Sequence, residues 1–186
     1  MDAKHDVSAL IYKIVWDECQ TSYRNLFRIM YPHLKAFAFS ILKNKEQAEE
    51  IASDVMITLW RDKHRLLEIN NIMVYGYVIA KNRSLNLLKA KNGREVSIDE
   101  IDIDIVFNAP NPEQSLITEE LRKSLQQAVQ SLPPKCKMIY RLVKEDGLSY
   151  KEVAEILSIS VKTVDAHLVT AVKKISEAIK SEYNLA

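Results

Sequence analysis

Apolar residues recur along the first half of the chain at the three- and four-residue spacing of α-helices, which places them on one side of each helix. This spacing predicts four helices, at about residues 6–18, 20–43, 45–63 and 70–91. Pro32 predicts a kink or a break in the second helix, because proline cannot donate the backbone hydrogen bond that a helix interior requires. Gly93 predicts the end of the fourth helix.

The second half shows the same pattern and predicts helices at about residues 113–130, 135–145, 149–157 and 161–178. Pro133–Pro134 separates the first two of these helices, and Asp146–Gly147 ends the second. The predicted fold class is therefore all-α, with two small helical bundles, the second ending in a helix-turn-helix.

One stretch alternates polar and apolar residues over the length of a strand, Val96–Phe107, "VSIDEIDIDIVF". It has no obvious partner strand and is followed by "NAPNPEQ", so we interpret it as an acidic extended linker. A β-hairpin strand is the alternative. The predicted domains are 1–95 and 113–186, with the linker at 96–112.

The formal net charge of +1 conceals an uneven distribution. Residues 1–95 hold 15 Lys and Arg against 11 Asp and Glu, and residues 121–186 hold 11 against 7. Residues 96–120 hold 7 acidic residues and no Lys or Arg. Basic blocks suit polyanions such as nucleic acid, although ordinary solvated surface gives the same composition.

The scarce and scattered chemistry-bearing residues exclude several classes of protein. The two cysteines and four histidines have no metal-ligand spacing, and the three glycines form no phosphate-binding loop. We therefore expect no enzyme, no catalytic residue, no metal and no cofactor. The charged N-terminus is not a signal peptide, and no apolar run approaches the ~18 residues that span a bilayer. The expected location is cytoplasmic, without membrane insertion.

The stretch "SYKEVAEILSISVKTVDAHL", Ser149–Leu168, is typical of a helix-turn-helix. Ser149 with Glu152 predicts a capping box for its first helix, and Ser160 predicts the cap of the second. Helical spacing places six apolar residues on the inner face of the second helix: Val161, Val164, Leu168, Ala171, Val172 and Ile175.

The opposite face of that second helix carries short and cationic side chains that suit the major groove of DNA. The candidate DNA-contacting residues are Ser160, Lys162, Thr163, Asp165, Ala166, His167, Thr170 and Lys173. A helical hairpin with a solvated basic face is the alternative interpretation.

Two segments of the first half carry further candidates. In "QAEEIASDVMITLW", Gln47–Trp60, the outer face holds Glu50, Ser53, Asp54 and Ile57, which suits either a protein interface or ordinary surface. In Ile69–Arg94, cations and amides suit nucleic acid. These are Asn70, Asn71, Lys81, Asn82, Arg83, Asn86 and Lys89.

The same segment contains two tyrosines that could stack on bases. The apolar spacing assigns Tyr75 to the core, together with Val78, Ile79, Leu85 and Leu88. Tyr77 lies on another face, and its role stays open.

Three segments in this order resemble the successive motifs of extracytoplasmic-function sigma factors of bacterial RNA polymerase. They are "QAEEIASDVMITLW", "YGYVIAKNRSLNLLK" and "LPPKCKMIYRLVKEDGLSYKEVAEILSISVKTVDAHL". The resemblance extends from about Leu26 to Ile179. It implies two helical domains, sigma region 2 at 1–95 and sigma region 4 at 113–186, and a role in promoter-specific transcription initiation.

The resemblance also implies a role for each candidate set. The Glu50–Ile57 set would dock on the β′ clamp helices of core RNA polymerase, and the second domain on the β flap. The residues from Asn70 to Lys89 would read and open the minus-ten element of promoter DNA, and those from Ser160 to Lys173 would read the minus-thirty-five element. A membrane-anchored anti-sigma factor is a further implied partner.

The chain departs from the family pattern at two positions. Asn86 stands where the family often has Asp, and Ser158 where it often has Gly, so the turn at Ser158 either needs no positive φ or tolerates it. A LuxR-type transcription regulator is the alternative function, because its DNA-binding domain has a similar helix-turn-helix. Residues 1–110 show no receiver domain, which such a regulator often carries.

Overall fold

The computed structural model of the chain describes residues 3–101, 103 and 119–183. These residues form α-helices and short 3-10 helices, with no β-strand among them, which confirms the all-α prediction. The chain separates into two compact units, Met1–Glu95 and Val96–Ala186. The predicted helix start near residue 113 and most of the connector lie outside the described residues.

The first unit contains four α-helices and one 3-10 helix. They are α1 Ala3–Trp16, α2 Gln20–Leu42, α3 Lys45–Arg61, the 3-10 helix Lys63–Glu68 and α4 Ile72–Asn92. Helix α2 continues through Pro32, so the proline does not break it. Gly93 ends α4 in the left-handed conformation, with φ 69°, as its position in the sequence predicts.

The core of the first unit forms where α2 packs against α3 and α4. Leu26, Met30, Leu34 and Phe37 of α2 have no exposed surface. Phe37 meets Tyr77 of α4 edge to face, with ring centroids 5.0 Å apart. Gly76 allows α4 to lie this close to α2. A Cβ atom at this position would lie 2.8 Å from the Cε of Met30, which is too short for a contact between two carbon atoms.

The buried face of α4 differs from the predicted one. Tyr77 is fully buried, whereas Tyr75, Val78 and Leu85 are only half-buried. The residues that face the core are Ile72, Val74, Gly76, Tyr77, Ala80, Lys81 and Ser84. The apolar residues of α4 are distributed around the whole helix, so their spacing does not define one buried face. The face with small residues is buried because it allows the closest packing of α4 against its neighbours.

The second unit contains α5 Glu119–Gln130, α6 Pro134–Lys144, α7 Tyr150–Leu157 and α8 Val161–Tyr183. Helices α5, α6 and α7 all pack against α8. The core of the unit includes Met138 and Leu142 of α6 with Val153 and Ile156 of α7. Val164, Leu168, Ala171 and Ile175 of α8 are buried as predicted, but Val161 and Val172 are 43% and 47% exposed. The buried face of α8 is therefore narrower than the apolar pattern indicates.

The described part of the connector is not fully extended. Ile98–Glu100 forms a short 3-10 helix that packs against α6. Ile101 and Ile103 are buried. The alternating pattern of this segment thus supplies apolar anchors to the second unit rather than a strand.

The helix-turn-helix has the predicted caps. Ser149 and Glu152 form the capping box at the start of α7. Ser158 ends α7 with φ 58° and ψ 45°, so the turn does require the left-handed conformation and serine tolerates it. The backbone N–H of Ile159 donates to the carbonyl oxygen of Ala154 at 3.0 Å and closes the turn.

Replacing Ser158 with glycine should stabilise the second unit. Glycine adopts this conformation without the steric cost of a Cβ atom, so we expect Ser158→Gly to raise the free energy of unfolding by about 0.5–1 kcal/mol. Chemical denaturation followed by circular dichroism measures the change. Ser158→Ala is the matched control, because it retains the Cβ atom and should give no gain. A gain for alanine equal to that for glycine would contradict the conformational explanation.

Candidate nucleic-acid and protein interfaces

The outer face of α8 is open to solvent for most of its predicted length. Six of the eight candidates are exposed: Ser160, Lys162, Asp165, Ala166, Thr170 and Lys173. Thr163 and His167 are half-buried. Because Ala166 has a short side chain between longer polar ones, the middle of this face can approach a groove closely.

Three hydroxyl groups on this face already have partners within the helix. The backbone N–H of Thr163 donates to Ser160 Oγ at 3.0 Å, and the two hydroxyl groups lie 2.8 Å apart. Thr170 donates to the carbonyl oxygen of Ala166 at 2.8 Å. These bonds orient the hydroxyl groups. The side chains of Lys162 and Asp165 have no hydrogen bond or ion pair with the part of the chain that the structure describes.

His167 is turned toward the neighbouring helix α6. Its Nδ1 atom lies 3.2 Å from the Sγ atom of Cys136. Cys136 is buried, and this burial raises the pKa of its thiol, while the nearby charge of Lys174 opposes the shift. The predicted DNA-facing histidine therefore also belongs to the α6–α8 contact.

Of the five predicted polar residues within α4, only three are exposed. Asn82, Asn86 and Lys89 are exposed and lie about one turn apart along one side of the helix. Lys89 forms an ion pair with Glu95. Tyr75 lies on the same side, two turns before Asn82, and is half-buried. The tyrosine available to a ligand on this side of α4 is thus Tyr75, and the one left open by the sequence, Tyr77, is core.

Two further candidates of this segment have structural roles. Asn71 caps α4, since its Oδ1 atom accepts the backbone N–H groups of Met73 at 3.0 Å and Val74 at 3.2 Å. Lys81 is only 7% exposed, and burial lowers its pKa. Asn70 is exposed. A direct contact of Lys81 with DNA therefore disagrees with its place in the core.

Arg83 joins α4 to α3 through two bonds from its guanidinium group. Nη1 donates to Oδ2 of Asp54 at 2.5 Å, and Nη2 donates to Oγ1 of Thr58 at 2.9 Å. Asp54 belongs to the candidate protein interface and Arg83 to the candidate DNA interface. The structure thus links the two candidate surfaces of the first unit by one ion pair, which the sequence pattern does not indicate.

The candidate protein interface on α3 is larger than predicted. Glu50 is exposed, Ser53 and Asp54 are partly exposed, and Ile57 is 60% exposed. Ile57 borders an open groove between α2 and α3. The groove is lined by Gln20, Tyr23, Arg24, Phe27, Ile57 and Trp60.

Aromatic contacts hold the groove in shape. The ring centroids of Tyr23 and Trp60 lie 4.7 Å apart, and the hydroxyl group of Tyr23 donates to the carbonyl oxygen of Met56 at 2.9 Å. The ammonium group of Lys63 lies 4.9 Å from the centre of the Trp60 ring. Sequence analysis overlooked Tyr23 and Phe27, although their four-residue spacing on the outer side of α2 is a detectable signal.

The described residues contain no group of three His, Cys, Asp or Glu side chains placed to hold a metal ion. Within the same residues, every helix is too short or too polar to cross a bilayer.

Comparison with protein families matches both units. Residues 26–94 match the family model "Sigma-70 region 2", and residues 122–175 match "Sigma-70, region 4". Together the two matches cover about two thirds of the chain. Their order is the one expected from the sequence motifs.

Individual relatives agree with these matches. The ECF RNA polymerase sigma-E factor of Escherichia coli (strain K12) is 27% identical over 164 residues, which cover 84% of this chain and 86% of that protein. The structure is similar to CnrH in complex with the cytosolic domain of CnrY, with a TM-score of 0.59, 16% identity and coverage of 95% and 98% of the two chains. It is also similar to the sigma factor RpoE of Bartonella quintana in complex with the anti-sigma factor NepR, with a TM-score of 0.57, 18% identity and coverage of 85% and 96%. These likenesses between structures concern the fold alone.

A double-mutant cycle tests the link between α3 and α4. We expect Asp54→Asn and Arg83→Gln to show a coupling free energy of about 0.5–1 kcal/mol in chemical denaturation, because each substitution removes the same ion pair. The Lys35–Glu49 pair between α2 and α3, 3.3 Å apart with both side chains 39% exposed, is the matched control and should couple more weakly. Additive effects at Asp54 and Arg83 would show that the pair contributes no coupling.

Proposed function

The chain belongs to the sigma-70 family, in its extracytoplasmic-function group, and from this membership we propose which surface of each unit performs each step of promoter recognition. It is an alternative sigma factor that directs transcription initiation by RNA polymerase at specific promoters. The comparisons give no support to the LuxR-type alternative. Sigma factors act as regulatory subunits, and we propose no enzymatic activity for this one.

Residues 113–186, within the second unit, act as sigma region 4 and read the minus-thirty-five element with α8. The observation that supports this role is the exposed outer face of α8, on which Lys162 is unpaired among the described residues and Ala166 leaves room for a groove. Lys162 and Lys173 contact phosphates or guanine, and Ser160, Asp165 and Thr170 contact the groove edges.

The first unit, residues 1–95, acts as sigma region 2 and recognises and melts the minus-ten element. The stripe of Asn82, Asn86 and Lys89 on α4 contacts one strand, and exposed Asn70 flanks it. Tyr75 on the same stripe offers a face on which an unpaired base can stack. Asn71, Lys81 and Arg83 act indirectly, by capping, packing and bracing α4.

The outer face of α3 docks on the β′ clamp helices of core RNA polymerase. Exposed Ile57 and the aromatic groove beside it supply an apolar anchor, and Glu50 and Asp54 supply a charged rim, as protein interfaces require. The second unit would contact the β flap. The affinity for a promoter is then divided between two DNA contacts and the polymerase, so neither unit has to bind DNA tightly alone.

An anti-sigma factor is a further proposed partner. Two of the solved structures similar to this chain are complexes, one with the anti-sigma factor NepR and one with the cytosolic domain of CnrY. We expect an anti-sigma factor of this chain to be anchored in the membrane and to compete with core polymerase.

Reconstituted transcription tests the proposed function. Core RNA polymerase from the bacterium that encodes the chain should start transcription of its own genomic DNA at a new, defined set of sites when the purified chain is added. Sequencing the 5′ ends of the transcripts measures this, with core polymerase alone as control. A chain that binds duplex DNA tightly and specifically without core, and yields no new start sites with it, would contradict the proposal.

Two substitutions should separate the polymerase contact from the DNA contact. Ile57→Glu places a charge in the centre of the docking face, so we expect at least a tenfold loss of core binding in a pull-down titration, corresponding to about 1.4 kcal/mol or more. Leu67→Glu is the matched control, because Leu67 is an exposed apolar residue of the same unit outside the groove. Retention of full core binding by Ile57→Glu would remove α3 as the docking face.

Lys162→Ala should have the reverse effect. It removes one cation from the DNA face, so promoter binding by the assembled holoenzyme should fall while core binding is unchanged. Gel-shift titration at two salt concentrations measures both the loss and the expected smaller salt dependence. Lys180→Ala, near the other end of α8, is the control. Equal losses for the two lysines would indicate a general charge effect.

A further inference from the structure

A thiol–imidazole contact lies between the two helices that determine the position of the DNA face in the second unit. Cys136 of α6 is 3% exposed, and its Sγ atom lies 3.2 Å from Nδ1 of His167 on α8. This is the one polar contact of the His167 side chain with the residues that the structure describes. The second ring nitrogen, Nε2, is therefore available to a group outside this part of the chain.

The chemistry of the pair favours one position for the ring proton of His167. Burial favours the neutral thiol, so an S–H group rather than a thiolate faces the ring. Thiol sulfur is a weak hydrogen-bond acceptor, whereas an unprotonated ring nitrogen is a good one. The better acceptor of the two atoms thus favours the arrangement in which the S–H group donates to Nδ1 and the ring proton lies on Nε2.

The place of His167 on α8 makes this proton distribution relevant to DNA. His167 follows Ala166, the centre of the proposed DNA face, and lies one turn after Thr163. It is half-buried, so the ring is held on one side by α6 while part of it remains accessible. An Nε2–H group is a single donor, and the major-groove edges of guanine, adenine and thymine all present acceptors.

We propose that Cys136 is a positioning residue for promoter recognition: its thiol orients the ring of His167 and holds Nδ1 as an acceptor, so that Nε2–H donates to one base edge in the minus-thirty-five element. The proposal rests on the proposed function of α8 as the reader of that element. If Cys136 served only to fill the core, its replacement would alter stability and leave base preference unchanged.

The first test concerns the free protein and does not depend on DNA. Two-bond ¹H–¹⁵N correlation spectra of the full chain at neutral pH report which nitrogen of His167 is protonated. The expected result is a proton on Nε2 and none on Nδ1. A proton on Nδ1 would overturn the proposal whatever α8 binds.

The second test measures base preference in the complete holoenzyme. Core polymerase with the full chain selects from duplexes that carry a fixed downstream promoter sequence and a randomised upstream element, and the bound fraction is sequenced. His167→Ala should abolish the preference at one base pair. Cys136→Ala should weaken the preference at that same pair about threefold to fivefold, the ratio that one hydrogen bond supplies.

Matched variants separate the hydrogen bond from packing. Cys136→Ser also removes the sulfur but keeps a donor, so it should retain more of the preference than Cys136→Ala. Cys19→Ala removes the other thiol, in the first unit, and should change nothing. Thermal unfolding followed by circular dichroism confirms that each variant is folded. Should Cys136→Ala destabilise the chain, the test is the comparison of Cys136→Ser, which keeps a donor, with Cys136→Val, which fills the site without one and should weaken the preference.

The outcomes distinguish the two levels of the proposal. Two results with Cys136→Ala would overturn the positioning role: equal weakening of binding to all sequences, or a change of base preference that persists in a His167→Ala background. In either case the proposed function of α8 would stand as long as Lys162→Ala still lowers promoter binding. If Lys162→Ala and His167→Ala both leave the selected sequences and the binding unchanged, the proposed function of α8 fails, and the positioning role fails with it.

Discussion

Each unit depends on burial of one apolar face of a long helix. In the first unit that helix is α2, whose residues from Leu26 to Phe37 include four with no exposed surface. In the second unit it is α8, which buries Val164, Leu168, Ala171 and Ile175 against three other helices. Burial of the larger of these side chains contributes about 1.5–3 kcal/mol each, more than an exposed polar contact does. This constraint orients each helix, and the candidate surfaces are the faces that remain.

The polar side chains near those surfaces serve two purposes. Asn71 caps a helix, Arg83 joins two helices, and His167 contacts a buried thiol. Each of these side chains looks like a nucleic-acid ligand in the sequence, because cations, amides and imidazoles suit both DNA and protein partners. Their structural bonds hold α4 and α8 in place, and of the three only His167 keeps a ring nitrogen, Nε2, for a proposed contact with DNA. The Asp54–Arg83 ion pair also connects α3, which carries the proposed polymerase face, to α4, which carries the proposed promoter face.

Sequence reasoning was most accurate where structure depends on neighbours in the chain. Most helix ends among the described residues lie close to the predicted ones, although α8 continues to Tyr183, and the capping box at Ser149 and the stop at Gly93 are as expected. It was least accurate for α4. There the apolar pattern indicated Tyr75 as core, but the small residues Gly76, Ala80 and Ser84 turn Tyr77 inward instead. It also assigned Val161 and Val172 to the core of the second unit, and both are exposed because α8 packs along a narrower face.

The sequence by itself determined the all-α class, the helix order and the helix-turn-helix, because hydrophobic periodicity, caps and breakers act over a few residues. It also indicated the family, through three motifs in the same order. Only the tertiary structure decided which polar residues are still free to bind another molecule. Arg83 meets Asp54 across 29 positions, and Cys136 meets His167 across 31. Such contacts depend on how whole helices pack, and no local pattern of residues encodes them.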